Sequence, residues 1–482
     1  MTPMLSVVVP IYNVEPYLAE CLESLAAQTL EDIEVLLVDD GSEDGSVRVA
    51  REFVQRDPRF VLFDQPNQGP GPARNAGIRR ARGTYLAFAD GDDVVPSNAY
   101  ELLVASLRES GSDFACGGVL RMTEGELAVS SLHEKVFRRH APRAHILDRQ
   151  VLIRDRTVWN KVYRKDFWHE HGLEFPAGIY EDVPLSMRAH VLATGVDVLP
   201  DIVYHWRKRE EGESSITQRR AELPNLAERL TAIRAVRAFL AEKAPQLIDA
   251  FDGLVLEKDL LFLFQALEYC QDDEIGPLLE LSERWMAGMS PVALGSVASL
   301  RRLELHLLSR GLVKELREVR RFRRDSVDGT PILPREVGWY GDYPYFRDRT
   351  LDIPDAVFEA SEELKLVATI DGCDWVEDRF EVRGEAYIHR VPQQPTRVDM
   401  WLTDGERRVM LDVERTGERG VQVAIDPALL EKGGPSWRLH ARVELCGLAL
   451  RGCFREGREG EAQKVWRLSV PGWSRTGMDI TQ

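Results

Sequence analysis

The sequence has few cysteines, and those it has lie far apart. Six cysteines are scattered over 482 residues, and no two of them form a C-x-x-C pair. This spacing argues against a structural zinc site and a disulfide framework, and it favours a reducing compartment. The first residues also lack the basic segment and apolar core of a secretory leader. We therefore expect a cytoplasmic protein.

Long apolar runs and excess positive charge are missing as well. The longest apolar stretch, LLFLFQAL at 260–267, is far shorter than the ~20 residues that span a bilayer. The formal net charge of −17 excludes a general nucleic-acid binder, so no nucleic-acid partner is expected. Residues 299–324 are basic and amphipathic, and we expect a surface helix there. It either makes a peripheral contact with anionic lipid or is simply a solvated face.

Apolar runs alternate with helical patterns in the first part of the chain. Short apolar strands are predicted at 5–9, 33–38, 60–63 and 84–89, with helices at 16–28, 45–56 and near 74–82 and a Gly/Pro-rich loop before the last of these. Continuous apolar strands separated by helices indicate a mostly parallel sheet that is covered on both faces.

The remainder of the chain changes character twice. Residues 222–325 are rich in Leu, Ala, Glu and Arg and predict helices, and a Pro/Tyr/Asp-rich connector follows at 326–364. From 365 to 482, short alternating runs are separated by turn residues about every ten positions, which is typical of an antiparallel β-sandwich. This last region has no cluster of acids or histidines, so we expect no catalytic role for it.

Polar residues follow three of the predicted parallel strands. The strand ends read Pro-Ile-Tyr-Asn at 10–13, Asp-Asp-Gly-Ser at 39–42 and Asp-Gly-Asp-Asp at 90–93. Ligands of such sheets bind beyond the carboxyl ends of the strands, so these residues should meet at one edge. Aspartates grouped there suit Mg²⁺ or Mn²⁺ that also binds a diphosphate. The alternative is an Asp-rich turn that caps the next helix.

The order of these motifs resembles that of family-2 glycosyltransferases with the GT-A fold. The resemblance lies in SVVVPIYN, LLVDDGS, NQGPGPARNAG and YLAFADGDD, and it continues through WNKVYRKDF and IYEDVPL. It implies a Rossmann-like α/β GT-A catalytic domain at 1–221, an α-helical linker at 222–325, the connector at 326–364 and an all-β, immunoglobulin-like sandwich at 365–482. This domain order is similar to that of wall-teichoic-acid glycosyltransferases.

The resemblance also implies an activity. It is the inverting, metal-dependent transfer of a hexosyl group from a nucleotide sugar, a UDP-sugar in many relatives, with Mn²⁺ or Mg²⁺ as cofactor. The acceptor would be a cell-envelope glycan or a polyol-phosphate polymer of the teichoic-acid type. The sandwich would form a homo-oligomer or bind the acceptor. One alternative stays open: a non-catalytic envelope-assembly protein that keeps the fold and binds polymer.

Particular positions inherit roles from the resemblance. Tyr12 would stack on the nucleobase and Asp40 would accept a hydrogen bond from it, unless Tyr12 packs under the sheet edge and Asp40 caps its turn. Asp90 and Asp92 form the D-x-D pair, with Asp92 as first choice for metal ligand and Asp93 as second. The residues implied for nucleotide-sugar binding are Pro10, Tyr12, Asp40, Asn67, Arg74, Asp90, Trp159, Lys161 and Arg207.

A second acidic pair would carry the proton transfer. The resemblance makes Asp182 the general base and Glu181 the residue that orients it. The position also suits the start of a helix, whose N-terminus should lower the pKa of Asp182 and keep it ionised at neutral pH. Trp159 would stack on a sugar and Lys161 would approach phosphate, or both would brace the acceptor lobe. Arg207 would contact diphosphate or an anionic acceptor, or lie in a solvated loop.

Overall fold

The computed structural model describes residues 2–123, 126–209, 215, 218–393, 395–430, 434, 436–456, 464–465 and 467–469. Trp466, Trp473 and most of the loop after Arg209 lie outside these ranges. The chain divides into two compact units, Met1–Val297 and Ala298–Gln482. The domain boundaries inferred from the sequence stay predictions.

The first unit is built on a nine-stranded sheet. Its strands are β1 (Leu5–Ile11), β2 (Ile33–Asp39), β3 (Phe60–Asp64), β4 (Tyr85–Phe88), β5 (Phe114–Thr123), β6 (Glu126–Val129), β7 (Ala141–Ala144), β8 (Lys161–Arg164) and β9 (Val196–Arg207). They are ordered β3-β2-β1-β4-β8-β5-β9-β7, and β6 pairs with β5.

The parallel part of the sheet explains the unbroken apolar runs. β1 pairs in parallel with β2 on one side and with β4 on the other, so it is an inner strand. Val7, Val8 and Val9 are fully buried, as expected for a strand with both faces covered. β8 runs antiparallel between β4 and β5, which makes the sheet mixed but mostly parallel. The predicted α/β class is confirmed.

Six helices are distributed along the sheet-forming part of the chain. They are α1 (Glu15–Ala26), α2 (Ser46–Arg56), α3 (Pro70–Ile78), α4 (Ala99–Ser110), α5 (Lys165–Glu170) and α6 (Asp182–Leu192). The helix expected near 74–82 instead begins at Pro70, inside the Gly/Pro-rich segment. Pro70 and Pro72 fall in the first turn, where the backbone N–H groups have no helical partner, so proline is tolerated there.

Further helices complete the first unit. They are α7 (Leu223–Lys243), α8 (Ile248–Leu254), α9 (Leu260–Tyr269), α10 (Asp272–Met286) and α11 (Pro291–Ser296). A π-helical segment, Val255–Asp259, joins α8 to α9. Within the described ranges, no helix combines the length and apolarity needed to cross a membrane.

The basic stretch 299–324 does not form the single surface helix that we expected. It forms α12 (Ser299–Ser309) and α13 (Val313–Asp325), and Gly311 between them has a φ of +65°. The buried carboxylate of Glu304 forms ion pairs with three arginines of this segment, Arg301, Arg320 and Arg323. Part of the basic charge is therefore neutralised within the second unit.

The remainder of the second unit contains the β-strands predicted for 365–482, and two further short strands lie in the connector at 326–364. Its strands are β10 (Ile332–Pro334), β11 (Trp339–Gly341), β12 (Leu366–Val376), β13 (Arg379–Ile388), β14 (Arg397–Thr403), β15 (Arg408–Leu411), β16 (Val413–Thr416), β17 (Gly420–Ile425), β18 (Ser436–Leu445), β19 (Leu448–Cys453), β20 (Arg455–Glu456), β21 (Lys464–Val465) and β22 (Arg467–Ser469). β16-β17-β13-β12-β20-β21 form one sheet and β15-β14-β18-β19, with β22 on β18, another. Trp437, Phe380 and Leu439 are in their shared core.

Candidate active site

A cavity of about 460 Å³ lies in the first unit where the parallel strands end. The predicted site residues that line it are Pro10, Tyr12, Asp40, Asn67, Arg74, Asp90, Asp92, Trp159, Glu181, Asp182 and Arg207. The predicted meeting of the three polar strand ends is therefore observed. Asp93 and Lys161 are not among the lining residues.

Tyr12 and Asp40, at the ends of β1 and β2, differ in their freedom to meet a ligand. Tyr12 is 42% exposed. Asp40 is buried, and its carboxylate accepts hydrogen bonds from the Gln65 side chain at 2.7 Å and from the backbone N–H groups of Gln68 and Gly69 at 3.0 and 2.8 Å. Asp40 therefore holds the loop that leads into α3, which supports its turn-forming interpretation.

Arg74, on α3, connects the two acidic motifs. Its guanidinium donates to Asp90 Oδ1 at 2.5 Å and, through a second short contact, to Glu181. Arg74 is only 4% exposed, and a buried guanidinium needs such carboxylate partners. A Cβ on Gly71 would lie 2.4 Å from the carbonyl oxygen of Pro176, so this approach of α3 depends on glycine.

The two carboxylates at the start of α6 are hard to ionise. Burial raises the pKa of Glu181 despite the opposing charge of Arg74. Burial, then the neighbouring carboxylates Glu181 and Asp90, raises the pKa of Asp182 to about 7, while Arg74 and Arg156 act in the opposite direction. The prediction that the helix N-terminus would lower this pKa was wrong. A helix dipole supplies only about 0.3–1 kcal/mol, which desolvation and like charge outweigh.

We name Arg74, Asp90, Glu181 and Asp182 the cavity acid cluster. It holds three carboxyl groups and one guanidinium, so it carries an excess of acid. The sequence predicted all four residues for the site. It did not predict that Arg74 is shared between Asp90 and Glu181, which lie about 90 positions apart in the chain.

The two remaining aspartates of the D-x-D-D turn point to different environments. Asp92 lines the cavity, and its Oδ2 accepts from Arg209 Nε at 2.6 Å. Asp93 is almost fully buried, and its Oδ1 accepts from the backbone N–H of Arg207 at 2.7 Å. Burial and the neighbouring Asp92 and Asp90 raise the pKa of Asp93 well above its usual range. The structure therefore places Asp92, and not Asp93, where a cavity ligand can reach it.

The carboxylate oxygens at the cavity wall fit a hard divalent cation that also binds the phosphates of a substrate. Among the described residues, no three histidine, cysteine or acidic side chains converge in a way that could hold an ion by themselves. Mg²⁺ is usually held by one or two carboxylates together with substrate phosphates. Asp92, with Asp90 two positions before it, supplies carboxylate oxygens of this kind at the cavity wall.

Arg207 fastens the end of β9 to the D-x-D-D turn. Its Nε donates to the backbone oxygen of Asp92 at 2.7 Å, and its Nη2 donates to Glu20 at 2.5 Å. Arg207 lines the cavity, and both of these partners are protein groups. Arg207 therefore helps to position the turn that carries Asp92, and its contact with diphosphate or an anionic acceptor stays a prediction.

Trp159 and Lys161, both in the WNK motif, lie in different surroundings. Trp159 reaches the cavity wall from an aromatic cluster, and its ring stacks on Tyr204 with centroids 4.2 Å apart. Lys161 is fully buried, and its Nζ lies 2.8 Å from Asp155 Oδ1, while His190 Nε2 lies 3.1 Å from Asp155 Oδ2. The predicted phosphate contact of Lys161 is not supported, because its charge is enclosed in the core. We name Asp155, Lys161 and His190 the buried lysine cluster.

Several lining residues were not assigned from the sequence. They are Asn13, Val14, Pro70, Gly91, Leu132, Arg156, Thr157, Ile179, Tyr180, Val183, Ser215, Arg219 and Arg229. Arg156 directly precedes the TVWNK motif. Arg229 lies on α7, whose sequence pattern carries no signal of a site. Only the fold brings it to the cavity.

A mostly parallel sheet with acidic strand ends around a cavity is the arrangement in which α/β proteins bind their ligands. The family model described as "Glycosyl transferase family 2" matches residues 6–172. Glycosyltransferase GlyG of Streptococcus pneumoniae is 30% identical over 222 residues, which are 43% of this chain and 72% of the relative. The chain belongs to glycosyl transferase family 2, as the motifs predicted.

Two further similarities concern how much of a relative the chain covers and the order of its folds. The uncharacterized glycosyltransferase EpsJ of Bacillus subtilis is 34% identical over 223 residues, 45% of this chain, and the chain spans only 64% of EpsJ. The crystal structure of S. aureus TarS has a TM-score of 0.62 at 17% identity and covers 95% of this chain and 79% of its own. This similarity confirms the order of the predicted folds, from the GT-A-like sheet through helices to β-sheets.

Proposed function

We propose that the protein is an inverting glycosyltransferase that uses a nucleotide sugar, and specifically a UDP-sugar. The observation that carries the proposal is Asp182, a cavity-lining carboxyl whose pKa of about 7 suits a general base at neutral pH. A TarS structure of related fold was solved in complex with UDP-GlcNAc, which supports the choice of UDP.

The mechanism follows from the positions of the lining residues. Tyr12 offers its exposed ring to the nucleobase at the end of β1. An acceptor hydroxyl oxygen bonds to the anomeric carbon while the bond from that carbon to the diphosphate oxygen breaks. The hydroxyl proton passes to a carboxylate oxygen of Asp182. Attack on the face opposite the leaving group inverts the anomeric centre.

The other residues of the cavity acid cluster act on Asp182 and on the donor. Glu181 is fixed by Arg74, so its charge keeps the proton affinity of Asp182 high. Asp92 and Asp90 would hold Mn²⁺ or Mg²⁺, which neutralises charge on the departing diphosphate when it is bound. Asn67 and Pro10 would complete the nucleotide pocket.

The acceptor that we propose is a cell-envelope glycan or a polyol-phosphate polymer. One relative is named poly(ribitol-phosphate) beta-N-acetylglucosaminyltransferase TarS, from Staphylococcus aureus, and it is 28% identical over 213 residues. A cytoplasmic location with a peripheral membrane contact is consistent with such an acceptor. α13 retains the exposed basic residues Arg321 and Arg324 for anionic lipid.

Nucleotide binding gives the sharpest test of the donor site. We expect Asp92→Ala to abolish metal-dependent binding of UDP, measured by titration calorimetry with Mn²⁺. Asp64→Ala is the matched control, because Asp64 is an exposed aspartate at the end of β3 and does not line the cavity. Unchanged metal-dependent affinity in Asp92→Ala would remove Asp92 from the metal site.

Turnover and assembly need separate measurements. Release of nucleoside diphosphate from a panel of nucleotide sugars tests the reaction and identifies the donor. We further propose that the second unit supports self-association. Light scattering on the full chain and on a fragment ending at Val297, where the first unit ends, compares their masses. Two monomers would contradict the association and favour acceptor binding as the role of the sandwich.

A further inference from the structure

Two arginines on the cavity wall share one buried carboxylate. Arg156 Nη1 donates to Asp259 Oδ2 at 2.8 Å, and Arg229 Nη1 donates to Asp259 Oδ1 at 2.6 Å. Asp259 is 1% exposed, and the two arginine side chains are 8% and 11% exposed. Both arginines line the cavity, whereas Asp259 lies behind them. The three side chains form a fixed arrangement built from the loop before β8, α7 and the π-helical segment.

The charges of this arrangement do not cancel. Two guanidinium groups face one carboxylate, which leaves an excess of one positive charge. Arg229 also donates to the hydroxyl of Tyr180 at 2.8 Å, and its guanidinium lies over the rings of Tyr180 and Phe262, so these further contacts carry no charge. Arg219 adds another positive charge to the cavity lining. Asp182 offsets part of this charge when it is ionised, because Arg156 acts on its pKa, and an anion that enters the cavity is favoured for the remainder.

The arginines lie on the same side of the cavity as the proposed base. Tyr180, which contacts Arg229, is two residues before Asp182, and the charge of Arg156 acts directly on the pKa of Asp182. An anion held by Arg156 and Arg229 would therefore lie close to the hydroxyl that Asp182 deprotonates.

The geometry points to an anion subsite, formed by Arg156 and Arg229 on Asp259, that binds a phosphate or carboxylate group of the acceptor. The identity of the ligand as an acceptor rests on the proposed function. Guanidinium groups suit this role because they bind phosphate and carboxylate through two parallel hydrogen bonds. The subsite would position the acceptor. The diphosphate of the donor is the other anionic group that could bind to these arginines.

The test uses the full chain with UDP and Mg²⁺ at saturation, so that the donor diphosphate site is filled. sn-Glycerol 3-phosphate is then titrated by calorimetry, with glycerol as the neutral match. We expect wild-type protein to bind the phosphate and not glycerol. Arg229→Met should weaken that binding about tenfold or more and leave UDP affinity unchanged. Arg234→Met, which removes an exposed arginine from the same helix, should change neither.

Three results would overturn the subsite. The first is that wild-type protein does not bind sn-glycerol 3-phosphate. The second is an equal loss of affinity for this phosphate in Arg229→Met and Arg234→Met. The third is a loss of UDP affinity in Arg229→Met, which would assign the anion to the donor. If Arg229→Met does not fold, Arg229→Lys keeps the charge beside Asp259, and we expect about a fivefold loss there because lysine lacks the paired donors. Unchanged affinity in that variant also overturns it. Absence of diphosphate release from every nucleotide sugar would instead count against the proposed function.

Discussion

The buried lysine cluster and the cavity acid cluster bury the same kinds of charge but balance them differently. In the buried lysine cluster, Asp155 lies between Lys161 and His190, and all three side chains are inaccessible. Burial by itself would raise the pKa of Asp155, but Lys161 and His190 outweigh it and hold that pKa well below its usual range. Every charge there has its partner within the fold.

The cavity acid cluster is left unbalanced. Arg74 serves both Asp90 and Glu181, and Asp182 has no cation of its own within the cluster, so its pKa rises to about 7. Perturbed carboxyls of this kind concentrate at functional sites, whereas completed ion pairs serve structure. The comparison shows that a charged residue in a family motif belongs to the site only where the fold leaves its charge open to a ligand or a proton.

Asp182→Asn should break the chemistry of the cavity acid cluster with little change in its shape. We expect transfer to fall by about 10²–10⁴-fold, the usual loss when a general base is removed, while UDP binding is kept. Diphosphate release and calorimetry measure the two quantities, and Asp64→Asn is the control. Near-normal turnover would show that another group accepts the proton.

Lys161→Met should break the buried lysine cluster and act on stability. Removing one partner of a buried ion pair leaves Asp155 uncompensated, so the free energy of unfolding should fall by about 3–5 kcal/mol. Urea unfolding measures it, with Lys135→Met, an exposed lysine, expected to stay within about 0.5 kcal/mol. A loss in Lys161→Met no larger than in the control would mean that Asp155 does not depend on Lys161.

The pH dependence of transfer should distinguish Asp182, in the cavity acid cluster, from Asp155, in the buried lysine cluster. Asp182 accepts a proton only when it is ionised, so kcat/KM should rise with pH and level off above an apparent pKa of about 7. Asp155 should contribute nothing in this range, because its pKa lies far below it. A profile that is flat between pH 5 and pH 9 would contradict the assignment of Asp182.

The smallest effect concerns stability in the same pH range. Because folding raises the pKa of Asp182, the folded state binds more protons than the unfolded state between pH ~4 and ~7, and wild-type stability is lost as the pH rises through this window. Asp182→Asn lacks this penalty, so its gain in the free energy of unfolding over wild type should be larger at pH 8 than at pH 5. Urea unfolding at both pH values gives the difference, and an equal offset at both would exclude Asp182 as its source.

The sequence predicted a residue's position correctly where that position depends on its own strand and its neighbours in the chain. Apolar runs with polar ends predicted that Tyr12, Asp40 and Asp90 would meet, since strand direction alone decides this. The role of Lys161 was not predictable, because enclosure by Asp155 and His190 depends on how β8 and α6 pack. The same holds for Asp182, whose pKa is set by burial and by carboxylates from other parts of the chain.

The cavity wall formed by α7 has a consequence for protein engineering. The family match ends at residue 172, yet Asp182, Arg207 and Arg229 lie beyond it and line the cavity. A chimaera that joins the matched segment to the helices of another transferase would thereby replace part of the pocket. Recombination between relatives at this border would exchange part of the cavity lining together with the helices, so the two should be inherited as one block.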